Sequence, residues 1–182
     1  MDTKDCIRGR RSIRRYTGQS ITRETLEQIV ALAAYAPSWK NTQVARYTLV
    51  TDRALIEKLA NECVLGFTHN TAILLNCNVL AVQSIVVKHS GYERDGSFST
   101  AMGTHWESFD AGISAQTFCL AAHELGVGTC ILGVFDAKKV AEAVNLPSTQ
   151  AASCLIAMGY PAENPAAPAR KSAGELIRFI GG

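Results

Sequence analysis

An almost continuously apolar run occupies residues 72–87 and ends in β-branched side chains. Apolar residues without alternation are typical of a strand that is buried on both faces of a sheet, and we expect such a strand over residues 78–84. A strand of this kind is stable only when other elements pack against both of its faces. The rest of the chain must therefore supply helices that cover a central sheet.

Helical patterns lie on both sides of this run. Apolar residues recur at helical spacing between Thr22, which can cap a helix, and Pro37, which ends it. The longest helix is expected over residues 106–125. The apolar residues that mark its buried side are Phe109, Ile113, Leu120, Ala121 and Leu125. The other helices are expected over residues 2–10, after Asp52, after Asp136, and around Leu176 and Ile177.

Three further segments have the composition of strands, and they cover residues 46–51, 128–134 and 153–158. About four strands among a larger number of helices indicate the α+β class, in one domain of residues 1–182. Residues 88–104 are polar, contain glycines and lack periodicity. They are expected to form a loop that is either mobile or placed over a site.

Basic side chains concentrate near the start of the chain. The chain has 18 Lys and Arg against 16 Asp and Glu, and five of the arginines lie within residues 8–15, so the remainder is net acidic. The arginine fork matches phosphate oxygens, and Arg10, Ser12 and Arg14 could converge on one anion. Two other interpretations compete, a solvated basic turn and a nucleic-acid or nuclear-localisation patch, and these residues alone favour the solvated turn.

The composition disfavours several classes of function. Aromatic residues make up only 7% of the chain, which leaves single-stranded nucleic acid without its usual stacking partners. No apolar run approaches the ~20 residues that span a bilayer, and the polar start predicts no secretory signal, so a cytoplasmic protein is expected. The six cysteines and four histidines lack metal-ligand spacing, which predicts reduced, buried thiols and no metal site. Neither a Gly-x-Gly-x-x-Gly turn nor a P-loop lysine motif is present.

Four segments together resemble the nitroreductase family of FMN-dependent oxidoreductases. They are residues 10–16 (RRSIRRY), 36–43 (APSWKNTQ), 121–136 (AAHELGVGTCILGVFD), and 158–163 (MGYPAE) followed by Arg170 and Lys171. The segments come in the family's order and spacing and span nearly the whole chain. Residues 70–76 match the family poorly, so the resemblance assigns no role to Asn70 or Asn76.

This resemblance implies a central, mostly antiparallel sheet that is covered by helices. It also implies a homodimer that holds two FMN molecules at the subunit interface. Pro37, Ser38 and Asn41 would come from the partner subunit and meet the flavin ring and the ribityl chain. This assignment suits a loop, because loops on a rigid scaffold commonly carry binding groups.

The resemblance also assigns positions within one subunit. Those assigned to the FMN phosphate are Arg10, Arg11 and Ser12, with Arg170 or Lys171 closing on it from the tail. Arg14 would lie toward the pyrimidine edge, where a cation stabilises the negative charge of the reduced flavin. The backbone of Ile131, Leu132 and Gly133 would pass flavin N5, with the N–H of Leu132 or Gly133 donating to it.

The implied activity is ping-pong hydride transfer from NADH or NADPH through FMN to a small acceptor such as a nitroaromatic or a quinone. A bound flavin supplies the redox chemistry, so no side chain is assigned as acid, base or nucleophile, and Arg14 is the electrostatic candidate. The alternatives are reductive dehalogenation or flavin breakdown on the same fold, and an FMN-binding or nucleic-acid-binding protein without turnover. Tyr92 or Phe98 of the 88–104 loop is expected to cover the flavin and to help select the acceptor.

Overall fold

One antiparallel sheet of four strands forms the centre of the computed structural model, which describes residues 1–181. The strands are β1 (Ala45–Val50), β2 (Val79–Val86), β3 (Gly128–Leu132) and β4 (Gln150–Gly159). The helices are α1 (Thr3–Gly9), α2 (Arg23–Ala33), α3 (Arg53–Glu62), α4 (Thr68–Asn76), α5 (His105–Glu124), α6 (Ala137–Ala143) and α7 (Ala173–Leu176). The strand order is β1-β2-β4-β3 with antiparallel pairing throughout, which confirms the expected α+β class. None of these helices is long and apolar enough to cross a membrane.

Side chains of β2 and β4 alternate between two hydrophobic cores, one on each face of the sheet. Leu80 and Leu155 pack into the core that α3, α4 and α6 cover. Ala81 and Ile156 pack into the opposite core, beneath α2 and α5. This alternation follows from the pleat of a strand, which directs successive side chains to opposite faces. The burial of the central strand on both faces is therefore confirmed.

The apolar run of residues 72–87 divides into two elements. Its first part is the second half of α4, and its second part is β2. The strand expected at residues 78–84 is confirmed, but the sequence pattern does not predict α4. Apolar residues surround this short helix on several sides, with Ile73 and Leu74 buried and Leu75 39% exposed, so no amphipathic stripe marks it.

The buried side of α5 differs from the expected one. Phe109 was expected to be buried, and this is wrong because its side chain is 54% exposed. The carboxylates of Glu107 and Asp110 are buried instead. Further along the helix, Gln83 Nε2 of β2 donates to Ser114 Oγ at 2.6 Å. Polar groups can be buried on this face because residues of other segments supply their hydrogen-bond partners. The helical spacing of apolar residues does not predict those partners.

Gly159, the last residue of β4, lies directly against Tyr16. A Cβ at this position would collide with Asn78 Oδ1 and would lie 2.7 Å from Tyr16 Cβ. Tyr16 has little freedom to move, since it is buried and its hydroxyl lies 2.5 Å from the Ile13 carbonyl oxygen. We expect Gly159→Ala to lower the free energy of unfolding by about 1–3 kcal/mol, as overpacked sites do.

Urea denaturation measures this effect, with Gly18→Ala as the matched control. A Cβ at Gly18 has no neighbouring atom within 4 Å, so the control is expected to stay within about 0.5 kcal/mol of the wild type. Equal stability of the two variants would contradict the close packing of β4 against Tyr16.

Candidate functional site

The arginine-rich segment is held extended beside β3 and the end of β4. Ser12 forms a parallel bridge with Thr129, and the Ile13 N–H donates to the Thr129 carbonyl at 2.9 Å. Farther along, the Thr17 N–H donates to the Tyr160 carbonyl at 2.8 Å. Ile13 is buried in the core, so the backbone of this segment is anchored while its polar side chains remain near the surface.

Two side chains from distant segments hold the same backbone. Glu163 Oε1 accepts the N–H of Arg14 at 2.7 Å and that of Arg15 at 3.2 Å. Asn76 Oδ1 accepts the N–H of Tyr16 at 2.7 Å. Glu163 and Asn76 therefore act on the main chain and leave the arginine side chains available. The sequence offered no signal for either contact, because both depend on long-range packing.

Arg10 and Arg11 line a pocket of about 280 Å³ together with His123 and Thr129. The His123 Nε2 atom is buried and has no hydrogen-bond partner among residues 1–181. Burial lowers the pKa of His123, and the nearby positive charge of Arg10 lowers it further. The imidazole is therefore neutral near pH 7, and the positive charge at this pocket comes from the two arginines.

The arginine side chains of this segment form no ion pairs among the described residues, although Glu163 lines the same two pockets. Among residues 1–181, no salt bridge involves any of the five arginines of residues 8–15. Arg11 Nη1 donates to the carbonyls of Arg8 and Arg10, at 2.6 and 2.9 Å. Arg14 is exposed and lines a neighbouring pocket of about 630 Å³ with His69 and Asn76. The segment thus forms an electropositive strip, which favours an anionic ligand.

The predicted site residues at the end of β3 lie on the edge of the sheet. The Ile131 side chain is 45% exposed, whereas Leu132 is buried in the core. The Thr129 carbonyl points away from β4 and accepts the N–H of Ile13. In an antiparallel pair the peptide groups of alternate residues point toward and away from the neighbouring strand. The N–H of Ile131 therefore points to the open edge of β3, and the N–H of Leu132 points toward β4. A Cβ at Gly133, the residue that follows β3, would have no neighbouring atom within 4 Å.

Asn70 fixes the turn that follows β3. Its side chain is 4% exposed, and its Nδ2 donates to the Val134 carbonyl at 3.0 Å. The sequence assigned no role to this residue. Its burial is visible only in the structure, so the sequence carried no signal for this contact.

The structure does not bring the other predicted residues to Arg10 and Arg11 within one subunit. Pro37 and Ser38 line a different pocket, of about 320 Å³, beside the N-terminal part of α5. Asn41 lies in the same loop, in a single turn of 3₁₀ helix. Arg170 and Lys171 are exposed and do not line the pocket of Arg10. The partner-subunit assignment and the closing tail remain predictions.

Comparison with known proteins identifies the family. The sequence model of the Nitroreductase family matches residues 7–160, which include the arginine strip, the Pro37 loop, β3 and β4. The chain belongs to the nitroreductase family. Membership confirms the resemblance and, at the level of the family, the expected class of enzyme, an oxidoreductase.

Individual nitroreductase relatives agree in sequence and in fold. A Methanothermobacter thermautotrophicus protein named for NADH dehydrogenase and NAD(P)H nitroreductase is 28% identical over 91% of this chain and 80% of its own. The NADPH-flavin oxidoreductase of Vibrio harveyi is 29% identical over 97% of this chain and 72% of its own. A Desulfovibrio desulfuricans protein crystallised in complex with FMN is 26% identical, superimposes with a TM-score of 0.80, and covers 100% of this chain and 98% of its own.

Proposed function

We propose that the protein is an FMN-dependent oxidoreductase that passes hydride from NADH or NADPH to a small acceptor such as a nitroaromatic or a quinone. The observation that carries this proposal is the strip of arginines without salt-bridge partners among residues 1–181, beside the open edge of β3. An FMN phosphate would supply the missing negative charge. The FMN in the Desulfovibrio desulfuricans relative and the flavin in the name of the Vibrio harveyi relative support the choice of anion.

The residues present fit FMN in charge and in position. Arg10, Arg11 and Ser12 would bind the phosphate, because they lie where the anchored segment meets the pocket beside β3. In the proposed complex, Arg170 or Lys171 would close on the phosphate from the exposed tail. The outward peptide groups of Ile131, together with the main chain of Gly133 just after β3, would meet the flavin edge. This refines the earlier choice between Leu132 and Gly133 in favour of Gly133, since the Leu132 N–H is directed toward β4.

When bound, FMN would supply two-electron transfer in two half-reactions, first from NAD(P)H and then to the acceptor. The chain contributes positive charge at the reduced ring through Arg14, whose exposed guanidinium is not paired with a carboxylate among residues 1–181. A neighbouring positive charge would stabilise the negative charge of the reduced flavin, and this effect requires no proton transfer by a side chain of the protein.

Purification and rapid mixing test this proposal. Purified protein, reconstituted with FMN and desalted, is expected to retain a yellow colour with flavin absorbance. Anaerobic mixing with NADH or NADPH is expected to bleach that absorbance, and a quinone is expected to restore it. Protein that binds FMN but is bleached by neither nucleotide would contradict the reductase function, and protein that binds no FMN would contradict the whole proposal.

The proposed active form is a homodimer with FMN at the interface. In this arrangement Pro37, Ser38 and Asn41 serve the partner's flavin, which explains why they lie away from Arg10 within one subunit. The exposed side of α5 supports such an assembly, because Phe109 is 54% exposed next to the accessible Gly112.

The 88–104 loop is proposed to select the acceptor. It is a folded segment, in which Tyr92 and Phe98 form a β-bridge and the centroids of their rings lie 4.9 Å apart. The Phe98 side chain remains 55% exposed and can contact a second molecule. We expect Phe98→Ala to change kcat/KM for quinones and nitroaromatics by different factors while FMN affinity is nearly constant.

Steady-state kinetics over a panel of acceptors checks this prediction, with Tyr92→Ala as the companion variant, since both rings belong to the same pair. Unchanged kinetic parameters for every acceptor in both variants would exclude the loop from acceptor selection. Loss of FMN would assign the loop to cofactor binding instead.

A further inference from the structure

The N-terminal part of α5 carries two buried carboxylates that each accept a main-chain N–H from a different loop. Glu107 Oε1 accepts the Lys88 N–H at 2.6 Å, and the residue is 8% exposed. Asp110, 3% exposed, accepts the Trp39 N–H through Oδ2 at 2.9 Å and Oδ1 at 3.2 Å. Each carboxylate therefore fixes one loop to the same helix.

Both anchored loops contain residues in the left-handed region of backbone conformation. The φ angles are 45° at Lys40, 56° at Asn41 and 47° at Gln43, beside the Trp39 anchor, and 62° at Lys88. None of these residues is a glycine, so each conformation is unfavourable on its own. Such backbone persists where the surroundings determine it, and it concentrates at functional sites.

A few side-chain contacts connect the two loops. Lys40 Nζ lies 2.9 Å from Glu93 Oε1, which connects the tips of the loops. The Trp39 ring lies 4.5 Å from the ring of Trp106, and Trp106 Nε1 donates to Thr100 Oγ1 at 2.8 Å. These contacts form a seam between two loops that are anchored separately on α5.

A carboxylate is an expensive acceptor for a single buried amide, because burial of a charge opposes folding. A charged acceptor compensates with a shorter and stronger hydrogen bond, which restricts the position of its donor. Asp110 holds the main chain immediately after Ser38 and two residues before Asn41, the residues proposed to reach the flavin. The placement of this costly acceptor next to those residues points to a need for accurate positioning.

We propose that Asp110 is a positioning residue for the cofactor, acting through the Trp39 amide on Ser38 and Asn41, and that Glu107 positions the acceptor-selecting loop in the same way. This inference rests on the proposed FMN function. It divides two tasks between two carboxylates that share one helix face. Substitution of Asp110 should therefore change the FMN dissociation constant, and substitution of Glu107 should change the ratio of kcat/KM between acceptors.

FMN titration of apo-protein separates these tasks. Asp110→Ala is expected to raise the FMN dissociation constant about tenfold, the scale of one charge-assisted hydrogen bond. Asp110→Asn keeps an oxygen for the Trp39 N–H and is expected to recover most of the affinity. Glu107→Gln is the matched control, with an FMN dissociation constant within about twofold of the wild type and an altered ratio of kcat/KM between quinone and nitroaromatic acceptors.

Tryptophan fluorescence of the apo-protein gives a readout that is independent of turnover. The chain contains only two tryptophans, Trp39 and Trp106, and both lie at the seam between the loops. Asp110→Ala is expected to shift their emission to longer wavelength as Trp39 becomes more exposed. Asp110→Ser, whose hydroxyl is too short to reach the Trp39 N–H, provides the same test if the alanine variant does not fold.

Three results would overturn the inference. They are unchanged FMN affinity in folded Asp110→Ala and Asp110→Ser, equal loss of affinity in Asp110→Ala and Asp110→Asn, and a loss in Glu107→Gln as large as that in Asp110→Ala. Each of these requires that the wild type binds FMN. A wild type that binds no FMN refutes the proposed function itself, so the two failures are distinguishable.

Discussion

Replacement of Arg10 by alanine is expected to weaken FMN binding by roughly 1.5–3 kcal/mol, which is about 10- to 100-fold in the dissociation constant. Arg10 lines the pocket beside β3, and among residues 1–181 no carboxylate forms a salt bridge with it. Its removal should therefore cost the full charged hydrogen bond to the phosphate. Titration of the apo-protein with FMN, followed by flavin fluorescence, measures the change.

Arg8→Ala provides the matched control for Arg10→Ala. Arg8 lies in the last turn of α1, is exposed, and does not line the pocket. The control should weaken binding by no more than the long-range effect of one surface charge, which salt screens. Unchanged affinity in a folded Arg10→Ala variant would remove Arg10 from the phosphate site, and equal losses in the two variants would indicate general attraction rather than a specific contact.

Substitution of Gly112 by glutamate is expected to dissociate the proposed homodimer and to release FMN with it. Gly112 is exposed on α5 and lines a groove of about 480 Å³ with Gln116 and the half-exposed Ile131. If this surface is the core of an interface of roughly 2,000 Å² or more, a buried unpaired carboxylate there should weaken association by more than about 100-fold. Light scattering should then give the mass of one chain, 19.6 kDa, instead of twice that mass.

Gly18→Glu is the corresponding control, because Gly18 is also exposed and a Cβ there has no atom within 4 Å. It should leave both the dimer and FMN binding intact. A wild-type protein that is monomeric, yellow and active would contradict the proposed assembly. A dimeric Gly112→Glu variant that retains FMN would place the interface on another surface.

Local signals in the sequence correctly determined much of the fold. Thr22, Asp136 and either Thr51 or Asp52 were expected to cap helices. The side-chain oxygens of Thr22, Asp52 and Asp136 each accept a main-chain N–H two or three residues later. A capping bond joins neighbours in the chain, so its geometry depends little on the rest of the protein. The strand β2 was also predicted correctly, because burial on both faces of a sheet requires apolar residues at successive positions.

Parts of the candidate site could not be predicted, because they depend on contacts between distant segments. Glu163 and Asn76 hold the backbone of the arginine segment from far along the chain. Asn70 performs a similar task for the turn after β3 from a helix that has no amphipathic stripe. A side chain that binds main-chain N–H or C=O groups recognises no particular residue type, so its partner carries no sequence signature.

The sequence by itself determined the α+β class, the family resemblance and the local excess of arginine, because each of these is written in patterns of neighbouring residues. Only the tertiary structure decided which polar residues serve the scaffold and which remain available to a ligand. Asp110 illustrates the difference. Its residue type is typical of the surface, but packing buries it against the Trp39 amide. Burial and hydrogen bonding are properties of the assembled fold, since they depend on which segments meet.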